Sequence, residues 1–360
     1  MNPRASVAWP GAPLAIGSAI LFGASTPLAK TLLGAGIRPW LLAGLLYLGS
    51  GIGLGLLECL RRIARVPSRE ESLRLNHLPL LGLVVTFGGV IGPLLLMLGL
   101  QRSIASSASL LLNLEGIATM AIAWIVVREN VDRRLLIGAA AILCGAFLLS
   151  WQGGGAVFGT GSLAIAGACV AWGIDNNLTR KLSASNPMQI ALAKGLVAGA
   201  VNCALAFGLG AHLPGWKAVV GAGVVGFFGY GVSLTLFVFA LRFLGTARTG
   251  AYFSTAPFIG AILSVAILNE PLTARLIIAG VLMAIGVYFH LAERHEHEHL
   301  HTPVEHAHRH THDEHHQHQH GPDDPAGEPH SHWHIHEPLR HSHAHYPDVH
   351  HRHEHSDSES

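Results

Sequence analysis

The chain has 360 residues, of which 50% are hydrophobic and only 12% charged, and its formal net charge is +1. A soluble domain carries about twice that share of charge, so the composition excludes an ordinary soluble protein and leaves a carrier, a channel or a membrane enzyme. The charge is split: 19 basic and 8 acidic residues up to Ala292 (+11), then 4 basic and 14 acidic (−10). A membrane body and a polar tail are therefore expected, with no nucleic-acid partner.

A spanning helix needs about 20 mostly apolar residues. In chain order the sequence predicts ten, over 13–33, 39–58, 78–99, 104–127, 134–151, 157–178, 187–210, 218–241, 247–268 and 272–291. Arg4 before the first apolar run would also suit a signal peptide. The run is long, holds Pro27 and Lys30, and has no small-residue cleavage site, so a retained helix is preferred. Glycines spaced by four, as in Gly49/Gly53, Gly51/Gly55 and Gly195/Gly199, suit close helix packing in lipid. Cys59, Cys144, Cys169 and Cys203 form no CxxC pair and read as small packing residues. With the N-terminus inside, cytoplasmic segments hold 12 Lys and Arg residues against 4 outside (Arg38, Arg102, Lys217, Arg275). The positive-inside rule then places both termini in the cytoplasm of a multi-pass inner-membrane protein.

The body repeats itself. Shifted by 141 residues, Leu100, Glu129, Arg134, Leu135, Ile137 and Gly145 fall on Leu241, Glu270, Arg275, Leu276, Ile278 and Gly286. Shifted by 150, Gly17, Gly23, Leu28 and Lys30 meet Gly167, Gly173, Leu178 and Arg180. The repeats run over 13–151 and 157–291, followed by the tail, 293–360. Five spans per repeat require the two copies to insert with opposite orientation, the inverted-repeat plan of many secondary transporters. The fold class expected is an all-α membrane protein of ten transmembrane helices in two inverted five-helix repeats, with a disordered His-rich tail.

The stretch Ala108-Ser109-Leu110-Leu111-Leu112-Asn113-Leu114-Glu115, followed by an apolar run and Glu129, resembles the EamA-type repeat of the drug/metabolite transporter superfamily. The second half repeats it as Ser254-Thr255-Ala256-Pro257 through Asn269-Glu270-Pro271-Leu272. The resemblance covers roughly 13–291. It implies a substrate cavity between the halves and export or exchange of small organic solutes. Members of that family often carry Pro where this chain has Gly116, which bears on the shape of the cavity wall.

Charges in a bilayer are costly and usually face a cavity or a partner. Glu115 and Asn113 fall in the fourth span, Lys194 in the seventh, and Trp172 one turn before Asn176 at the end of the sixth. Arg248 and Tyr252 lie one turn apart in the ninth. On one reading Asn113, Glu115, Trp172, Asn176, Lys194 and Tyr252 line the substrate pathway and Glu115 carries a coupling proton. On the other, Glu115 and Lys194 pair with each other or with carbonyls, and Trp172 and Tyr252 are packing. Asp175 and Lys30, near helix ends, read as caps or snorkelling groups. Glu129 and Glu270 read as structural, bracing their turns against Arg134 and Arg275. Pro27, Pro93 and Pro257 should break helices and free backbone groups.

Of 26 histidines, 23 lie between His295 and His355, mostly alternating. The tail is itself duplicated: shifted by 35 residues, His295, His297, His299, His301, His306, His308, His310, His315, His316, His318 and His320 fall on His330, His332, His334, His336, His341, His343, His345, His350, His351, His353 and His355. These 22 are the candidate metal ligands. Alternation in an extended chain sets imidazoles on one side, and neutral imidazole suits Zn, Ni, Co and Cu(II). So little apolar surface predicts disorder until metal binds. A pH-sensitive polyelectrolyte, or a neutral low-complexity extension, is the alternative.

The sequence has no HExxH, GxSxG or P-loop pattern, so no enzyme is expected and no cofactor for transport. The first expectation is a secondary transporter of a small organic solute, working by alternating access. The alternative is a carrier of Ni, Co or Zn, or of a metal chelate, fed by the tail. A metallosensor merely anchored by its helices is the third reading.

Overall fold

The computed structural model describes residues 11–64, 77–127, 133–151, 159–180, 182 and 186–291, and four tail segments, 295–300, 304–310, 330–336 and 340–345. The chain divides into two units, Met1–Ala292 and Glu293–Ser360. The division falls where the charge changes sign.

The first unit is helical. Eight helices are long and apolar enough to cross a membrane: Gly11–Gly34, Pro39–Ile63, Leu78–Arg102, Ala105–Val126, Arg133–Ser150, Met188–Gly208, Trp216–Ala240 and Thr249–Leu268. Two more helices hold the sixth and tenth places: Thr160–Arg180, whose end carries Asp175, Asn176, Asn177 and Arg180, and Ala274–Leu291. We number these ten in chain order as spans one to ten.

Four spans are irregular, and they are related through the repeat. Span three holds a π-helical turn at Val85–Ile91, and span eight one at Phe227–Val232. Span four stops at Leu111 and restarts at Leu114, and span nine stops at Phe253 and restarts at Ala256. Pro257 stands in the first turn after the break in span nine, while Gly116 takes the matching place in span four. The break in span four therefore does not need a proline. The sequence suggested a boundary between spans eight and nine near residues 241–247. The backbone is instead helical from Ser233 to Phe253.

Packing partners follow the repeat as well. Span two packs on span seven and span five on span ten, while span one packs on eight and nine as span six packs on three and four. At two crossings backbone meets backbone. A Cβ added to Gly195 would come within 2.7 Å of Gly51, and one added to Gly286 within 2.6 Å of the Gly138 carbonyl oxygen. Only glycine permits that approach. The buried core includes Leu41, Leu42, Leu46, Leu96, Met97 and Leu100.

In the second unit the described residues form four short strands, β1 (His295–Leu300), β2 (Val304–His310), β3 (His330–His336) and β4 (Arg340–His345). β1 pairs antiparallel with β4, and β2 with β3. The sequence reading took the tail as without regular structure. Its period-two alternation is also the pattern that a strand accommodates, and the described segments pair accordingly. Histidine stands opposite histidine at His295/His345, His297/His343, His299/His341, His306/His334, His308/His332 and His310/His330. His336 lies opposite Val304. The candidates His301, His315, His316, His318, His320, His350, His351, His353 and His355 lie outside the described residues.

Candidate functional site

The polar centre of the helical unit is organised by the π-helical turn of span three. Such a turn widens the hydrogen-bond ladder and frees carbonyls for other donors. The Gly88 carbonyl accepts from Tyr47 Oη at 2.8 Å and from Trp172 Nε1 at 3.0 Å, and the Gly89 carbonyl from Asn202 Nδ2 at 3.0 Å. Spans two, six and seven are thereby tied to one turn of span three. Gly88 also makes room: a Cβ there would overlap the carboxylate of Asp175.

Asp175 is buried and accepts from Lys194 Nζ at 2.5 Å and from Thr179 Oγ1 at 3.1 Å. Such donors are the partners that a buried carboxylate requires. Below it, Asn176 Nδ2 donates to Glu115 Oε1 at 2.9 Å and approaches Thr119 Oγ1 at 3.2 Å. Asn177 Nδ2 donates to the carbonyls of Thr119, at 3.0 Å, and Gly173, at 2.9 Å. Glu115 stands in the first turn after the break in span four, where a carboxylate is favoured by the helix dipole.

An aromatic row continues from this cluster toward the second half. Tyr47 and Tyr230 have ring centroids 5.5 Å apart, Phe22 and Tyr230 5.9 Å, and Phe22 and Phe253 5.3 Å. Tyr230 belongs to the π-helical turn of span eight, and Tyr47 is tied to that of span three through the Gly88 carbonyl.

The structure brings together Glu115, Trp172, Asn176 and Lys194 of the sequence candidates. Lys194 pairs with Asp175, so the Glu115–Lys194 pair considered from sequence is replaced by two separate pairs. Asp175, read as a helix-end cap, is instead the buried anchor of Lys194. Asn113 lies apart: it is buried, with Nδ2 on the Leu110 carbonyl at 2.9 Å and near Met283 Sδ at 3.9 Å, on the side of span ten. Tyr252 is half-buried just before the break in span nine, and its carbonyl accepts from Thr255 Oγ1 at 2.6 Å. The side chain of Arg248, like Glu129, lies outside the described positions.

Sequence reasoning missed Tyr47, Gly88, Thr119, Asn202 and Tyr230. The Gly88-Gly89 pair within an apolar span was the available signal, since adjacent glycines invite close approach of other groups. Among the described residues no group of three or more His, Cys, Asp or Glu is placed to hold a metal ion.

A bundle of apolar spans, broken at matching points in both halves around a part-buried ion pair and an aromatic wall, is the architecture of a multi-pass membrane transporter. The chain belongs to the EamA-like transporter family, which matches residues 9–151 and again 159–292. It is similar to an uncharacterized transporter of Methanothermobacter thermautotrophicus, 29% identical over 288 residues, covering 76% of this chain and 83% of that protein. A crystal structure with 20% sequence identity shares the fold, with a TM-score of 0.57, covering 78% of this chain and 95% of its own. The protein is thus a transporter that lies in a lipid bilayer and acts on a small molecule.

Proposed function

We propose that the protein is a secondary transporter that exports or exchanges a small organic solute by alternating access. The site lies between the breaks of spans four and nine. The observation that carries this reading is the juxtaposition of Glu115–Asn176 and Asp175–Lys194 with the aromatic row. A few fixed polar groups against an aromatic wall suit an organic molecule.

In this reading Asp175 and Lys194 neutralise each other and hold spans six and seven in place. Glu115, whose described partners Asn176 and Thr119 are neutral, takes the substrate's polar group or a coupling proton. Trp172 and Tyr252 offer ring faces, and Asn113 supports span four behind the site. The protein works in the inner membrane with both termini cytoplasmic, as the distribution of Lys and Arg argues.

The tail binds Zn, Ni, Co or Cu(II) in the same proposal. The six histidine-over-histidine register positions support this, because directly opposed residues on paired strands have Cβ atoms about 4.5–5.5 Å apart. That register is also what favours the second reading, in which the cargo is a divalent metal or a metal chelate.

One experiment separates the two readings. Cells expressing the intact chain, a chain ending at Ala292, and Glu115→Gln are challenged with Ni, Co and Zn, and their metal content is measured. The organic-solute reading expects metal content to depend on the tail alone. If the intact chain lowers cellular metal and Glu115→Gln abolishes this, the body carries metal and the first reading is wrong.

A further inference from the structure

At one end of the helical unit two opposite charges grip the short connection between spans three and four. Lys30 of span one donates through Nζ to the carbonyls of Leu100 (2.7 Å), Ser103 (2.7 Å) and Gln101 (3.3 Å), at the C-terminal end of span three. Glu270, from the turn between spans nine and ten, accepts the first two amides of span four, Ala105 N at 2.6 Å and Ser106 N at 2.8 Å. A cation thus sits on the carbonyl end of one helix and an anion on the amide end of the next, each the favoured sign for its helix dipole. Asn269, in the left-handed region at φ 51°, turns the chain so that Glu270 follows the end of span nine.

This end of the bundle is tightly packed. Below the clasp, spans one and nine touch through backbone, since a Cβ on Gly23 would meet the Ala256 carbonyl oxygen at 2.5 Å and one on Gly260 the Gly23 carbonyl oxygen at 2.9 Å. Span four reaches the same crossing with the Ser109 side chain, whose Oγ lies 2.8 Å from a Cβ on Gly260. Span four records the asymmetry along its length. In its first piece Ala105, Ser106 and Ala108–Leu111 are all buried, whereas its second piece, Leu114–Ile122, has no buried residue.

The repeat assigns a counterpart to every part of the clasp. Shifts of 141 and 150 residues lay Glu270 on Glu129, the span three–four connection on 241–246, and Lys30 on Arg180. Here, however, the counterpart connection does not exist as such, because the helix Ser233–Phe253 runs through it unbroken. The amides of residues 246 and 247 are then committed within a helix and offer no cap site for Glu129.

We propose that Lys30 and Glu270 form a latch closing one mouth of the transporter, and that it exchanges during the cycle with a second latch built from Arg180 and Glu129. When the Glu270 end opens, the helix parts near residue 245. Glu129 then takes the amides so released and Arg180 the carbonyls. The structure is the state with the first latch made. This inference rests on the alternating-access reading above.

The test uses the full chain in lipid nanodiscs, its four cysteines replaced, with spin labels on Ile104→Cys and Leu272→Cys at one mouth or on Val131→Cys and Gly245→Cys, their repeat counterparts, at the other. Glu270→Gln should raise the long-to-short distance ratio at the first pair roughly five- to tenfold, the loss expected for a helix cap, and shorten the second pair. Lys30→Gln should act in the same direction, and Glu129→Gln in the opposite one at both pairs. If the parent populates both distances but the Glu variants move nothing, or move the mouths in the same sense, the latch is overturned. If each pair in the parent holds a single distance whatever is added or substituted, alternating access itself falls. Should Glu270→Gln not fold, Lys30→Gln and Glu129→Gln decide the matter by the opposite signs of their effects.

Discussion

Asp175 occupies the space that a side chain at position 88 would need, and there it holds Lys194 at 2.5 Å. A glycine in span three thus makes possible an ion pair between spans six and seven. Removing one member of this part-buried pair leaves the other without its charge partner, at a cost of up to about 3–5 kcal/mol. Asp175→Asn and Lys194→Met should each lower the melting temperature of the detergent-solubilised protein by many degrees. The double variant should recover a large part of that loss. A double variant as unstable as the sum of the singles would show that the two residues act independently.

Gly88→Ala should abolish transport, because its methyl group would displace the Asp175 carboxylate. Gly82→Ala, four positions from the start of the same span and with nothing within 4 Å of the added Cβ, is the control. It should be neutral or stabilising by roughly 0.5–1 kcal/mol, as expected for replacing a helical glycine. Solute flux and thermal stability measured on both variants test the contrast.

The Gly88 carbonyl has two donors, Tyr47 and Trp172. Tyr47→Phe or Trp172→Phe alone should therefore be tolerated, with a loss of about 1 kcal/mol. Together they strip the carbonyl of both side-chain donors, and the double variant should lose more than the two singles combined. A double-mutant cycle on thermal stability reads the excess, and strict additivity would contradict it.

The tail should release metal on acidification. Imidazole must be neutral to bind a metal, and its ordinary pKa of about 6.5 lies inside the range concerned. Between pH 7.5 and pH 5.5 the affinity of the intact chain for Zn or Ni should fall at least about tenfold. The chain ending at Ala292 should show no such transition in calorimetric titration. Binding that persists unchanged at pH 5.5 would point to carboxylate ligands.

The spans were legible because a bilayer imposes length and apolarity on each helix separately, and the duplication was legible because Glu129/Glu270 and Lys30/Arg180 recur at fixed offsets. Where a helix is interrupted was legible only in part: Pro257 and Pro93 stand just past the break in span nine and the π-helical turn of span three, whereas Leu112-Asn113 carries no breaker of its own and Pro27 lies inside the unbroken helix Gly11–Gly34. These irregularities come from contacts between spans, which periodicity does not record. For the same reason the partners of Lys194 and Glu270 escaped the reading. Lys194 finds Asp175 across a helix pair, and Glu270 reaches 165 residues back to the Ala105 amide, while the expected partner Arg275 bonds the Trp151 carbonyl at 2.7 Å.

The glycine crossings of spans two with seven and five with ten have a mechanical consequence. At Gly51/Gly195 and Gly138/Gly286 no Cβ stands between the two main chains, so no side chain at these four positions has to leave one rotamer well for another when the helices tilt past each other. Each crossing can act as a fulcrum. The repeat exchanges span two with span seven and span five with span ten, so the pseudo-two-fold axis passes between the helices of each crossing, where a rocking motion displaces atoms least. Friction is thus lowest where the two halves bear on one another.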